Sequence, residues 1–137
     1  MAIELDIQPL EKAIVSLEMA LARHDGTPGD DIVRDACIQR FEFTYELSHK
    51  MLRRFLAATS ANPTEIDAMP FQDLIRTGSE HGLLLNDWSR WRLYRTARSI
   101  TSPTYDERKA REVFAVIPDF FREARHLHER LAAELSR

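Results

Sequence analysis

The sequence predicts an all-α fold: an up-and-down helical bundle of about four main helices plus one short helix. Three observations lead there. Apolar residues recur at i, i+4, i+7 and i+11, and no strand-like alternation of useful length is present. Turn and cap residues interrupt these runs at helix-sized intervals. The 137 residues are 44% hydrophobic and 30% charged, which suits one domain spanning 1–137 with a core of its own.

The first helix follows from Leu10, Ile14, Leu17 and Leu21 on one face, with Pro9 at its start, where a missing N–H costs nothing. Gly26-Thr27-Pro28-Gly29 ends it, and Asp30 or Asp31 can cap the next. That second helix, Asp31 to about Thr59, is the longest periodic run. Cys37, Ile38, Phe41, Tyr45, Ser48, Leu52, Phe55 and Leu56 share a face, widened by Phe43, Leu47 and Met51. A helix this apolar is expected to be covered on two sides, at the centre of the bundle. On its polar strip Glu46 and Lys50 form a correctly ordered i, i+4 pair.

Residues 59–69 read as a loop, and Pro70 opens a short helix with Phe71, Leu74 and Ile75, closed by Gly82. Asn86 or Asp87 caps a helix from Trp88 to about Ser99, and Pro103 disfavours helix at Ser102. The last helix begins near Thr104 or Tyr105, with Asp106 and Glu107 in its first turn. Ala110, Val113, Ile117, Phe121, Ala124, Leu127, Leu131 and Leu135 form its stripe, and Pro118 is expected to kink it.

Composition excludes several function classes. Nineteen basic residues against 22 acidic ones give a net charge of −3, which does not recommend nucleic acid as a bulk partner. Four glycines cannot build a phosphate-cradling loop, and the single Cys37 excludes an internal disulfide and a cysteine-rich zinc cluster. No apolar run approaches the ~20 residues of a membrane span, and Met1-Ala2-Ile3-Glu4 does not begin a secretory leader. A cytoplasmic protein is expected, with no membrane partner and no cofactor. His126 and His128, two apart on a helix, diverge, so no metal site is expected from them.

The Trp88–Ser99 helix has two faces. Leu93, Ala97 and Ile100 lie on one side, suited to packing on the bundle. Trp88, Trp91, Arg95 and Arg98 lie on the other, combining aromatic surface with planar cations of the kind enriched at docking sites. This second set packs in the core, meets a second copy of the chain, or lines a ligand groove; periodicity alone does not choose. Burial in a symmetric homodimer is the expectation taken forward.

Two stretches carry a family resemblance. The run Arg34-Asp35-Ala36-Cys37-Ile38-Gln39-Arg40-Phe41-Glu42-Phe43-Thr44-Tyr45-Glu46-Leu47 resembles the signature of the nucleotidyltransferase substrate-binding proteins. These are helical bundles of the wider HEPN group, related to toxin–antitoxin pairs and typically encoded beside a minimal nucleotidyltransferase. The second is Arg98-Ser99-Ile100-Thr101-Ser102-Pro103-Thr104-Tyr105-Asp106, whose Arg98-to-Tyr105 spacing matches the HEPN pattern of Arg, four residues, His, one residue, Tyr. Pro103 stands where the pattern has His, and Ser99 where Asn is usual.

The resemblance implies a role for that His in activating a ribose 2′-OH and for the Arg in holding the scissile phosphate. Pro103 has no side-chain donor or acceptor, and Arg98 stays protonated. The chain is therefore expected to be a non-catalytic, substrate-binding partner of a minimal nucleotidyltransferase. Arg95, Arg98, Ser102, Tyr105, Trp88 and Trp91 form the expected binding set, and Tyr105 is a candidate acceptor of a nucleotidyl group. A HEPN-type ribonuclease toxin is the alternative, disfavoured by Pro103. A nucleotide- or phosphate-binding module, with the tryptophans stacking a base, is the second.

Overall fold

The computed structural model describes residues 3–100 and 106–137, which form six helices and, among the described residues, no strand. They are α1 (Gln8–Gly26), α2 (Asp31–Thr59), α3 (Pro63–Asp67), α4 (Phe71–Glu80), α5 (Trp88–Ser99) and α6 (Glu107–Leu135). The two 29-residue helices α2 and α6 pack against each other and against α1, α5 packs on α6 and α2, and α4 on α5 and α2.

The starts of α2, α3, α5 and α6 are fixed by short acidic or amide side chains meeting unpaired backbone N–H groups. Asp30 accepts from the N–H groups of Ile32 and Val33 at 2.9 and 3.2 Å, and Asp106 accepts from that of Lys109 at 3.1 Å. Asp87 accepts the Ser89 hydroxyl at 2.6 Å and its N–H at 3.0 Å, which together hold its carboxyl below the usual carboxylate range. Gly82 follows α4 at φ 73°, where a side chain would be strained. Residues 59–69, expected as loop, contain α3: Asn62 caps it and Pro63 occupies its first turn.

The α2 face expected to be central is so. Cys37, Phe41, Ser48 and Leu52 are wholly buried, and Ser48 is satisfied by the carbonyl of Thr44 at 2.8 Å. Phe43 departs from that expectation and is 62% exposed. Glu46 contacts His49 and Arg98 in place of the expected Lys50. Helix α6 runs through Pro118 without interruption, and Phe120 is the wholly buried phenylalanine where the stripe had named Phe121, which is half-buried. Arg34, 8% exposed, ties the start of α2 to the start of α6 through Glu107 at 2.7 Å.

Helix α5 corrects the expected faces. Trp91, Tyr94 and Ala97 are its buried residues, while Leu93 is 42% exposed. Trp91 is therefore a core residue and leaves the binding set. The cause lies on α6: Glu123 is wholly buried there and accepts the Trp91 indole N–H at 2.9 Å. The Trp91 ring meets Phe120 edge-on at 6.1 Å and Tyr94 at 5.4 Å, an arrangement a solvent-facing indole could not make.

Candidate partner-binding site

The site is built where the end of α5 crosses the middle of α2. Arg98, 38% exposed, reaches two carboxylates one turn apart on α2. Its Nε donates to Glu46 Oε1 at 3.1 Å, and its Nη1 stands 3.4 Å from Glu42 Oε2. The second oxygen of Glu46 lies 3.1 Å from His49 Nε2, so one carboxylate holds both an arginine and an imidazole. Burial pushes the His49 ring below its usual range, although Glu46 pulls the other way. His49 is thus linked to Arg98 through the shared Glu46 carboxylate.

Arg95 lies over the Phe71 ring of α4, 5.1 Å from its centroid, and Trp88 meets the same ring edge-on at 5.9 Å. Trp88 is half-buried. Arg95 and Trp88 thus meet at Phe71, Arg98 lies one turn further along α5 against the middle of α2, and Trp91 is in the core. Ser102, Pro103 and Tyr105 lie outside the described residues.

Beside Arg98 a groove of about 530 Å³ runs between α1 and α2, lined by Lys12, Ser16, Arg40, Glu42 and Phe43 among others. Arg40 is fixed in its wall by a 2.7 Å bond to the Ser16 carbonyl. Sequence reasoning missed Glu42 and Glu46 as partners of Arg98. The available signal was their i, i+4 spacing on the polar strip of α2, with only His49 and Lys50 spaced to meet Glu46 and no basic residue spaced to meet Glu42. Among the described residues no group of three or more His, Cys, Asp or Glu side chains could hold a metal.

Chemically, the arrangement offers a cation already countered by two carboxylates, so an incoming phosphate must compete for the Arg98 fork. The position of the motif histidine is held by a residue that cannot move a proton.

Residues 5–133 match the family described as nucleotidyltransferase substrate binding protein like. The chain belongs to this family. Within it, the substrate-binding-protein-like chain is 40% identical over 136 residues to a Haemophilus influenzae protein named probable ribonuclease HepT, covering 93% of this chain and 92% of the relative. A solved structure from the same organism superposes with a TM-score of 0.85 at 37% identity, over 93% of this chain and 99% of that one. It is described as revealing the fold of a substrate binding domain of a nucleotidyltransferase. The all-α bundle is thus the fold of the family. No helix among the described residues is long and apolar enough to cross a membrane.

Proposed function

We propose that the chain is a non-catalytic, substrate-binding partner of a separately encoded minimal nucleotidyltransferase, acting as a homodimer and accepting a nucleotidyl group on Tyr105. The observation that carries this reading is the altered motif: Arg98 and Tyr105 are kept, and Pro103 replaces the residue that would transfer a proton. Membership of the family supports a nucleotidyltransferase as the partner.

In the proposed reaction the Tyr105 hydroxyl oxygen attacks the α-phosphorus of a nucleoside triphosphate bound by the enzyme. An O–P bond forms, the bond to pyrophosphate breaks, and pyrophosphate leaves. The phenolic proton would pass to a base of the enzyme, and a divalent metal ion supplied by the enzyme would offset the developing charge. Arg98 is the cation for the phosphate, and Arg95, Trp88 and Ser102 complete the docking surface.

We propose the α1/α2 face for the homodimer in place of the expected face of Trp88, Trp91, Arg95 and Arg98, because Trp91 is wholly buried in the core. Six large apolar side chains are exposed among the described residues, and Val15, Met19, Ile32 and Phe43 of these belong to α1 and α2. Lys12 and Arg40 alternate there with Glu11 and Glu42, a mixture of charges that a two-fold axis can pair with itself.

A ribonuclease is the second reading, favoured by the name of the 40% identical relative and opposed by Pro103. Incubating the purified chain with RNA, and separately with the neighbouring nucleotidyltransferase, tests both. A stable complex and intact RNA are expected. RNA cleavage abolished by Arg98→Ala, with no complex, would replace the first reading by the second.

A further inference from the structure

Two side chains from different helices meet on one carboxylate of α2. Glu46 Oε1 accepts the Arg98 Nε–H at 3.1 Å, and Glu46 Oε2 stands 3.1 Å from His49 Nε2. An ionised carboxylate only accepts, so Nε2 carries the hydrogen and Nδ1 is left to take a proton. The imidazole is held edge-on to Tyr45 and to Phe71, with centroids 5.2 and 5.5 Å away. Its side chain keeps 21% exposure, so it exchanges protons with solvent. No step of the reaction proposed above uses it.

With His49 neutral, Arg98 counters both Glu46 and Glu42. An anion approaching its fork then meets two carboxylates. Protonation of His49 gives Glu46 a second cation on its other oxygen. The hold of Glu46 on Arg98 weakens, and the charge around the fork becomes more positive by one unit. Both changes favour an anion at Arg98. The groups facing the ring set where this happens. Burial lowers its proton affinity most, Glu46 opposes that pull, and Arg53 and Lys50 of the same helix reinforce it. The Tyr45 phenol beside it is neutral, since burial pushes its pKa up. From α4 the ring meets uncharged Phe71, over which lies Arg95 of α5. The balance leaves His49 below its ordinary range, so it gains its proton in mild acid.

We propose that His49 is a positioning residue that regulates the Arg98 site through Glu46: the neutral ring leaves Arg98 engaged by the carboxylate, and the protonated ring releases it to a tetrahedral oxyanion such as a nucleotide phosphate. This rests on the reading of Arg98 as the phosphate cation and names how that site is controlled. Linkage makes the effect reciprocal. An anion held at Arg98 raises the proton affinity of His49 by the same factor by which the protonated ring tightens the anion.

The test uses sulfate, a tetrahedral dianion whose own charge is constant in this range, titrated into the full-length chain against chloride at equal ionic strength. Amide resonances of α2 and α5 report the affinity. Wild type is expected to bind about fivefold more tightly at about pH 5 than at about pH 7.5. His49→Gln keeps an N–H for Glu46 but takes no proton, and should change by less than about twofold over the same span. This also controls for the other histidines, which charge in both proteins. In wild type, sulfate should move the His49 Cε1–H titration midpoint upward, and in Arg98→Ala it should not. That measurement decides alone if His49→Gln unfolds. Equal pH dependence in wild type and His49→Gln, or a midpoint that sulfate does not move, would overturn the inference and leave Arg98 as the anion's cation. Sulfate shifts that are absent, or unchanged by Arg98→Ala, would overturn the phosphate reading and the inference with it.

Discussion

Trp91 and Glu123 are both wholly buried, and the indole N–H of one donates to the carboxylate of the other at 2.9 Å. Glu123 also accepts the backbone N–H groups of Leu85 at 2.7 Å and Asn86 at 2.9 Å. One acid on α6 therefore fixes both the chain entering α5 and the rotation of α5 about its own axis. Burial pushes the Glu123 carboxyl up, against the opposing pull of its three N–H donors.

Trp91→Phe keeps an aromatic ring but leaves one buried carboxylate oxygen short of a donor. A loss of about 2 kcal/mol is expected, and about 3–5 kcal/mol for Trp91→Ala, which also opens a cavity. Chemical denaturation measures both. Stability equal to wild type in Trp91→Phe would remove Glu123 as the anchor of α5.

The pH dependence turns on Arg34 and Glu107. The guanidinium beside it holds the Glu107 carboxyl below the usual range. A depressed folded value means that this contribution is present above the ordinary glutamate range and is lost as pH falls through the folded one. Glu107→Gln should therefore lower the melting temperature at neutral pH and leave it nearly unchanged in strong acid, flattening the acid limb of the profile. An unchanged acid limb would contradict the clamp.

Glu42 and Glu46 pair with Arg98, and under the proposed function they compete there with phosphate. Glu42→Gln/Glu46→Gln should raise affinity for a nucleoside triphosphate several-fold, on the order of 1 kcal/mol, as read by equilibrium dialysis. Arg98→Ala in that background should abolish the gain. Unchanged affinity in the double variant would place phosphate elsewhere.

Phe43→Glu, at a 62% exposed position, should leave the fold intact and convert the proposed homodimer to a monomer in light scattering. A dimer that survives Phe43→Glu and Met19→Glu together would exclude the α1/α2 face.

The sequence made α1, α2 and α6 legible because their stripes are long and one-sided. Cys37, Phe41 and Leu52 recur over many turns, so their direction is unambiguous. Helix α5 was not legible in the same way. It has 12 residues with apolar side chains on both sides, and pattern cannot say which side faces inward. A contact 32 residues away decides it, the bond from Trp91 to Glu123. Glu123 directly precedes Ala124 in the α6 stripe, and an acid in that register was the one local sign that α5 would bring it donors. In the site, the Arg98-to-Tyr105 spacing was readable as a motif. Its pairing to Glu42 and Glu46 was not, because it joins two helices more than 50 residues apart in the chain.

The central claim is that Tyr105 is presented to a nucleotidyltransferase. Its most direct test is the intact mass of the chain after incubation with the neighbouring enzyme, ATP and magnesium. The account predicts one added nucleotidyl group per chain, mapped to Tyr105, absent in Tyr105→Phe and strongly reduced in Arg98→Ala. An unmodified chain, with the enzyme shown to be folded and active on another acceptor, would contradict it.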